Sequence, residues 1–411
     1  MIEAASAFGA LRLPRSTLFG RGQRHALGSV ASKLGKRALL CTDARQAAQP
    51  EFAAMVTDLQ AHGLHTHVFD QTIPDLPIES IEACVEEVRS FEADLVIGIG
   101  GGSSMDMAKV VAVMLTHGGD IRSYYGEFAV PGPVMPLIAM PTTSGTGSEV
   151  TPVAVVSDDQ RGAKVGIASP YLIPLVAICD PDLTITCPPG LTACSGADAL
   201  THAVEAYTTL ARAADPMLTE EHVFVGKNLL SDHFARLAVA NVFRFLERGY
   251  RDGSDVEARE GLMVAALSAG CAFGTAGTAA AHAIQYPVGN LTHTAHGDGV
   301  ATLLPYVMQY NRPYCAEAFA ELAKVIGLPE GSVEEMSQAF IDAVADLLGK
   351  VNIPRSLEAL GLKADQQDFV AQNALNAARL VKNNPRPLDL SAMQSITRAA
   401  FSGEREALRT A

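Results

Sequence analysis

The sequence predicts two domains of different class, an α/β domain over residues 1–186 and an all-helical domain over residues 187–411. In the first part, short apolar runs alternate with helical stretches, which is typical of a parallel sheet covered by helices on both faces. After the turn CPPG at 187–190, the chain continues as long segments rich in Ala and Leu. Their periodicity predicts helices that pack on one another.

The elements of this prediction follow from individual runs of residues. Four apolar runs end in polar or glycine-rich turns and are predicted as strands: RALLCTD (37–43), DLVIGIG (94–100), PLIAMPTT (136–143) and PLVAICD (174–180). Three segments have helical periodicity: IESIEACVEEVRSFEA (78–93), HFARLAVANVFRFLERG (233–249) and VEEMSQAFIDAVADLLGKV (333–351). Strands alternate with helices only before residue 187, and this change in pattern sets the predicted domain boundary.

Composition argues against several classes of function. The chain is 48% hydrophobic and 18% charged, with a formal net charge of −14. A nucleic acid, whose binding needs clustered Lys and Arg, is therefore not the expected partner. The seven cysteines are scattered and form no CxxC pair, which argues against a disulfide framework or a thiolate zinc site. Since the N-terminus does not resemble a signal peptide, we expect a cytoplasmic protein.

One segment has the length of a membrane span. GLMVAALSAGCAFGTAGTAAA (261–281) carries no charge but consists mostly of Gly, Ala, Ser and Thr. Small residues gain little from hydrocarbon, whereas they let helices approach closely in a protein interior. We therefore predict a buried core helix here and no membrane partner.

A glycine run follows the second predicted strand. In DLVIGIGGGSSMDMAK (94–109), the glycines let a ligand approach the backbone, and Ser103 or Ser104 can cap the helix that follows. Such a turn suits a pyrophosphate at the helix N-terminus. The spacing departs from the common dinucleotide fingerprint, because Ser103 occupies the third glycine position. A tight turn with ordinary capping explains the run equally well.

A second loop and an acidic residue strengthen the nucleotide interpretation. PTTSGTGSE (141–149) also follows a strand, and ligands of open parallel sheets bind at the carboxyl ends of strands. Asp43 closes the strand RALLCTD, where its carboxylate can accept a hydrogen bond from a ribose 2′-hydroxyl or cap the next helix. Arg45 nearby weakens the discrimination, because a guanidinium accommodates the 2′-phosphate of NADP.

Candidate metal ligands occur in two distant stretches. Asp198 and His202 in GADALTHAVEAY (196–207) are four residues apart and so share one face of a helix. His282 ends the uncharged segment, and His296 precedes a turn. Taken singly, an Asp/His pair at this spacing is common and a buried histidine is usually a core residue. If all four converge, three imidazoles and one carboxylate suit Fe(II) or Zn(II), which would polarise a substrate oxygen beside a nicotinamide.

These motifs together resemble the iron-containing (group III) alcohol dehydrogenases. GGGSSMD, PTTSGTGSEV, GADALTHAVEAY and the stretch from Phe273 to HGDGVA appear in that family's order over nearly the whole chain. The resemblance implies a dinucleotide-binding α/β domain with a parallel sheet and an all-α domain, the architecture shared with dehydroquinate synthases. It implies transfer of a hydride between NAD(H), less readily NADP(H), and a small alcohol or aldehyde. It also implies a homodimer or higher homo-oligomer.

The resemblance assigns roles to individual positions. It implies a site for Fe(II), or sometimes Zn(II), formed by Asp198, His202, His282 and His296. It implies that the cofactor is bound by Asp43, Gly101, Gly102, Ser103, Thr142, Thr143, Thr146, Ser148 and Lys164. Phe273 falls on an aromatic position of the family's substrate pocket, and an acid at position 43 matches members that prefer NAD. His293 is interpreted as a bystander of the metal site.

Three positions depart from the family pattern. Tyr286 replaces a histidine that many members carry four residues after the third ligand, as in hydroxyacid–oxoacid transhydrogenases. As the candidate catalytic residue it can donate a hydrogen bond, but an ordinary tyrosine pKa near 10 makes it a poor proton relay. Thr275 occurs where Asn is common. TEEHVFVGKNLLSD (219–232) resembles an insertion of unexplained purpose.

The departures leave alternatives to a simple dehydrogenase. Tyr286 favours hydride transfer between a hydroxy acid and an oxo acid. A lyase of the dehydroquinate synthase kind needs basic residues near its metal, and residues 261–299 contain no Lys or Arg. A further alternative is a helical binding protein whose histidines only pack in the core. Under that hypothesis the four candidate ligands and the two candidate phosphate loops would occur together by chance. We therefore expect the substrate to be a small alcohol, an aldehyde or a hydroxy acid.

Overall fold

The computed structural model describes residues 8–161 and 163–409. The chain folds into two compact units. The α/β unit comprises residues 12–187 and 220–223, and the helical unit comprises the described residues of 1–11, 188–219 and 224–411. Each unit has its own secondary structure, described separately below.

The α/β unit contains nine strands and five helices within its described residues. The strands are β1 Ser16–Phe19, β2 Arg37–Cys41, β3 His65–Phe69, β4 Leu95–Gly100, β5 Gly126–Glu127, β6 Leu137–Pro141, β7 Val153–Asp158, β8 Ala163–Ala168 and β9 Val176–Cys179. The helices are α1 Leu27–Ala31, α2 Ala44–Ala47, α3 Pro50–Ala61, α4 Ile78–Val88 and α5 Gly102–His117. The four predicted strands correspond to β2, β4, β6 and β9.

Six strands form a parallel sheet in the order β1-β9-β6-β4-β2-β3. The register pairs Cys41 with Gly98 and Gly100 with Pro141, so β2, β4 and β6 end at the same edge of the sheet. A second sheet in the order β5-β8-β7 pairs β7 with β8 in antiparallel fashion. The loops that follow β2, β4 and β6 are therefore neighbours at one edge.

Both faces of the large sheet are buried. Leu39 and Val96 pack in a cluster with α4 and α5, whereas Leu40 and Ile97 pack on the opposite face with α3. All six residues of β4 are buried. Burial on both sides explains why these strands are nearly continuous apolar runs instead of alternating ones.

The helices that follow residue 188 form the second half of the chain. They are α6 Pro189–Thr208, α7 Leu218–Glu221, α8 Leu229–Arg251, α9 Val256–Ala276, α10 Ala280–Thr292, α11 His296–Val325, α12 Val333–Lys350, α13 Gln367–Ala374, α14 Ala378–Asn383 and α15 Leu390–Ser402. α8 begins four residues before the predicted start, because Asn228 caps it in a reciprocal capping box with Ser231. Within the 219–232 segment, Val223 belongs to the α/β unit and donates its N–H to Glu127.

Small residues let α6, α8 and α9 approach closely. A β-carbon at Gly261 would lie 2.0 Å from the Phe245 ring, and one at Gly196 would lie 2.4 Å from Leu246. Most residues of α9 are buried, as the composition of 261–281 predicts. Among the described residues no single helix is long and apolar enough to cross a membrane; the bent pair α9–α10, at 103°, meets that criterion by length and composition alone.

Candidate metal centre and cofactor loops

Three of the four predicted metal ligands converge in the helical unit. Asp198 lies midway along α6, His282 lies in the first turn of α10 and His296 is the first residue of α11. One ligand atom from each lies within 4.8 Å of the other two. Asp198 and His282 are buried and His296 is half-buried. Residues up to about 100 positions apart thus meet at one point. Their spacing in the sequence does not show that they meet.

His202 lies beside this set, one turn after Asp198. Its Nδ1 is 3.7 Å from Asp198 Oδ1, and its ring stacks on His282 with centroids 4.7 Å apart. On its other side, the ring of Phe273 stacks on His202 at 4.1 Å. The fourth predicted ligand and the predicted pocket aromatic are therefore both in contact with the cluster.

The donor set fits a divalent transition metal. His296 Nε2 lies 3.8 Å from Asp198 Oδ1, close enough for both to share one ion. His282 Nδ1 is bonded to Glu205, whereas its buried Nε2 has no hydrogen-bond partner among the residues that the structure describes. A buried imidazole nitrogen without a partner is costly unless a ligand satisfies it. Nitrogen and carboxylate donors of this kind suit Fe(II) and Zn(II).

Tyr286, Thr275 and His293, which the sequence analysis also named, differ in burial. Tyr286 is half-buried one turn after His282 and packs against the apolar cluster around α10 and α11. Thr275 is fully buried, and its carbonyl accepts a hydrogen bond from the Val225 N–H. His293 is exposed and ends α10 with a φ of +54°. Its side chain is not one of the converging groups.

In the α/β unit, the glycine turn and the second loop meet where β4 and β6 end. Thr142 N–H donates to the Gly100 carbonyl at 2.9 Å. A β-carbon at Gly102 would lie 2.6 Å from Thr146 Cγ2, and one at Gly101 would lie 3.6 Å from Thr143 Oγ1. The second loop therefore packs directly against the glycine turn because these glycines carry no side chain. A glycine turn before a helix is the kind of structure that binds a pyrophosphate.

The start of α5 differs from the predicted capping. Gly101 occupies the cap position, while Ser103 and Ser104 lie inside the first turn, so neither serine caps the helix. Among the described residues no side chain caps Gly101. This helix of 16 residues therefore begins without a side-chain cap at Gly101. The N-terminus of a helix is a favourable place for an anion.

Asp43 combines both roles considered for it. Its Oδ1 accepts a hydrogen bond from the Gln46 N–H at 2.9 Å and caps α2. Its Oδ2 lies 3.7 Å from the place of a β-carbon at Gly100, next to the glycine turn. Arg45 donates to the Thr186 carbonyl at 3.4 Å. The carboxylate thus lies at the turn and has one oxygen that does not cap the helix.

Lys164 lies on β8 of the three-stranded sheet. Its ammonium pairs with Asp75 at 2.5 Å. Ser148, at the end of the second loop, donates its hydroxyl to Asp106 Oδ1 at 2.6 Å. The structure therefore brings together the glycine turn, the second loop and Asp43, and it leaves Lys164 on β8 with a partner of its own.

Sequence reasoning missed a buried group of charges beneath the second loop. Asp106 Oδ2 accepts from the Val155 N–H, and Lys109 Nζ donates to the carbonyls of Thr151 and Val153 at 2.9 and 2.8 Å. Burial raises the pKa of Asp106, and burial lowers the pKa of Lys109 to about 8. Burial also raises the pKa of Glu149 to about 7. The i, i+3 pair Asp106/Lys109 within an otherwise apolar helix was the available signal.

Comparisons with known proteins cover nearly the whole chain. The sequence model described as iron-containing alcohol dehydrogenase matches residues 14–181, and that of the family's C-terminal part matches residues 192–401. Long-chain-alcohol dehydrogenase 1 of Geobacillus thermodenitrificans (strain NG80-2) is 35% identical over 390 residues, covering 93% of this chain and 94% of that protein.

Two solved structures show the same fold. The crystal structure of 1,3-propanediol oxidoreductase has a TM-score of 0.88 at 31% identity, covering 96% of this chain and 100% of that one. Sulfoacetaldehyde reductase from Bifidobacterium kashiwanohense, solved in complex with NAD+, has a TM-score of 0.82 at 26% identity, covering 96% and 99%.

Proposed function

The chain belongs to the iron-containing alcohol dehydrogenase family, and on that premise we propose that it interconverts a small alcohol and its aldehyde with NAD(H) and one divalent ion, Fe(II) or Zn(II). Membership confirms the resemblance and the fold class predicted from the motifs. The protein is an oxidoreductase. The observation that carries the proposal is the convergence of Asp198, His282 and His296 within 4.8 Å.

The helical unit holds the ion. Asp198, His282 and His296 would supply three ligand atoms, and His202, whose ring stacks on His282, would supply a fourth. When bound, the ion supplies a Lewis acid that polarises the substrate oxygen. Phe273 keeps the His202 ring in its stacked orientation and gives the substrate an apolar wall. Tyr286 supplies a hydroxyl donor one helical turn from His282.

The α/β unit holds NAD. The uncapped N–H groups of Gly101, Gly102 and Ser103 bind the pyrophosphate at the start of α5. The second loop contributes Thr142, Thr143, Thr146 and Ser148, and Lys164 contributes from β8. The second carboxylate oxygen of Asp43 accepts a hydrogen bond from a ribose hydroxyl and repels the 2′-phosphate of NADP, which favours NAD.

The remaining predictions about context stay part of this proposal. We assign the cofactor domain to residues 1–186 and the metal domain to residues 187–411. The protein is cytoplasmic and assembles as a homodimer or a higher homo-oligomer. Its substrates are small alcohols and aldehydes, a proposal supported by the names of the 1,3-propanediol and sulfoacetaldehyde enzymes.

A substrate panel with metal reconstitution tests the proposal. The protein is stripped with a chelator, divided, and loaded with Fe(II), Zn(II) or nothing, and each sample is assayed with NAD and with NADP. We expect activity with NAD only in the loaded samples. Full activity of the metal-free sample would reject the metal's role, and equal activity with both cofactors would reject the role of Asp43.

Tyr286 supports one second candidate, transfer of a hydride between a hydroxy acid and an oxo acid. In that reaction NAD stays bound and cycles between its two forms. Incubation with a deuterated hydroxy acid and an oxo acid, without added NAD, distinguishes the two. Deuterium in the second product supports transhydrogenation, whereas a strict need for exchanging NAD supports the dehydrogenase.

A further inference from the structure

A buried glutamate contacts the metal cluster from behind. Glu205 lies on α6, seven residues after Asp198, and is 2% exposed. Its Oε2 accepts hydrogen bonds from the Ala279 N–H at 2.8 Å and from His282 Nδ1 at 2.6 Å, and its Oε1 accepts from the Ala281 N–H at 2.7 Å. The carboxylate is therefore surrounded by donors.

Two of these donors belong to the start of α10. Ala279 is the N-cap of that helix and provides no side-chain cap of its own. The carboxylate of Glu205 takes the place of the missing cap, and a negative charge at a helix N-terminus is stabilised by the helix dipole. The first turn of α10, which carries His282, is thus fixed to α6, which carries Asp198 and His202.

The third donor determines the state of His282. Because both carboxylate oxygens act as acceptors, His282 Nδ1 must donate, and the ring proton of the neutral imidazole lies on Nδ1. The lone pair is then on Nε2, the buried atom that has no partner within the described part of the chain. Hydrogen bonds of this kind orient metal-bound histidines and raise their basicity.

We propose that Glu205 is a positioning residue of the metal centre, which fixes the tautomer and ring orientation of His282 so that Nε2 faces the ion. The inference rests on the proposed metal-dependent function. It assigns a role to an acidic residue that the ligand motif does not include. Glu205 acts through His282 and the backbone of α10, without itself binding the ion.

An amide at position 205 cannot reproduce this arrangement. In Glu205→Gln, one of the two oxygens becomes an NH₂ group, which only donates. If the NH₂ group faces His282, the ring must accept, so its proton moves to Nε2 and blocks the ligand atom. If it faces Ala281 instead, two N–H groups oppose each other at the start of α10. Glu205→Asp keeps the charge with a shorter reach.

The experiment measures metal binding and the state of the ring separately. Co(II) and Zn(II) affinities are determined by competition with a chelating dye, and the visible spectrum of the Co(II) protein reports the ligand geometry. Metal-free samples labelled with ¹⁵N-histidine show which nitrogen of His282 carries the proton. Glu321→Gln is the matched control, because Glu321 also accepts a hydrogen bond from α6, through Tyr207, at a distance from the cluster.

We expect Glu205→Gln to weaken metal binding by about 10- to 100-fold and to change the Co(II) spectrum. The His282 proton moves to Nε2 when the NH₂ group faces His282, and the ¹⁵N signals identify that orientation. Glu205→Asp recovers part of the affinity, and Glu321→Gln changes none of the three readouts. Unchanged affinity, spectrum and tautomer in Glu205→Gln would overturn the inference alone. A wild-type protein that binds no metal overturns the proposed function instead, and the tautomer readout still tests the contact with Glu205.

Discussion

The proposed cofactor site of the α/β unit is formed mainly by backbone, whereas the proposed metal site of the helical unit is formed by side chains. At the glycine turn, Gly101 and Gly102 begin α5 without side chains, and the second loop packs against them. At the metal cluster, the donors are a carboxylate and imidazoles from three helices. We therefore expect the glycine turn to be disrupted by substitutions that add atoms, and the metal cluster by substitutions that remove a side chain.

The largest effect is expected from removing a side chain of the metal cluster. His282→Ala deletes a buried side chain that we propose as a metal ligand. The expected loss of charge stabilisation, several kcal/mol, lowers kcat/KM by roughly a thousandfold or more. Metal analysis of the purified variant is expected to show less than one ion per chain. His293→Asn is the control: this exposed histidine lies in a left-handed conformation that Asn tolerates. A similar loss in His293→Asn would contradict the assignment of ligands.

The second-largest effect is expected on stability and comes from Glu149, a buried acid of the α/β unit. The pKa of Glu149 is raised by burial to about 7, so the folded state holds a proton that the unfolded state releases between pH 4.5 and 7. Stability from this group is therefore complete below pH 4.5 and is lost as the pH rises through 7, by about 3 kcal/mol.

Replacing Glu149 with Gln is expected to remove this contribution to the pH dependence of stability. Urea unfolding at pH 5 and pH 7.5 is expected to show that Glu149→Gln gains stability over the wild type as the pH rises. The exposed Glu79→Gln in the same unit serves as the control, with the same difference from wild type at both values. A difference for Glu149→Gln that does not change with pH would show that burial of this carboxyl does not limit stability.

The smallest expected effect comes from adding atoms at the glycine turn. In Gly102→Ala the new β-carbon would lie 2.6 Å from Thr146 Cγ2, so the second loop must move away. Overpacking of this size costs about 1–3 kcal/mol, which weakens NADH binding by about 5- to 150-fold. Titration of NADH fluorescence measures it, with metal content unchanged. Ser103→Ala, which deletes atoms at the same turn, should bind NADH nearly normally if the backbone forms the site.

The parts of the fold that the sequence predicted are those buried on both sides. β2, β4, β6 and β9 lie in the middle of the sheet, where helices cover both faces. Apart from Arg37 at the start of β2, their residues are apolar. β1 and β3 lie at its edges, and their partly exposed, polar sequences STLF and HTHVF give no comparable signal. β7 alternates buried and half-buried residues, a weak pattern over six positions.

The candidate site was predictable to the extent that its residues are close in sequence. The spacing of Asp198 and His202 predicts that they share one face of a helix. The two glycine-rich loops each follow a strand, which predicts that they lie at the same edge of the sheet. The contact of Glu205 with Ala279–His282 spans more than 70 residues and leaves no local trace, since an acid on a helix is usually solvated. The burial of Lys109 likewise depends on contacts with Thr151 and Val153, more than 40 residues away in the sequence.

Asp198, His202 and Glu205 form a single stripe along α6, at intervals of four and three residues. Each residue of an α-helix turns by about 100°. Inserting or deleting one residue between positions 198 and 205 would therefore rotate part of the stripe away from its partners. The contacts of this stripe therefore depend on the spacing of the three residues as much as on their identity.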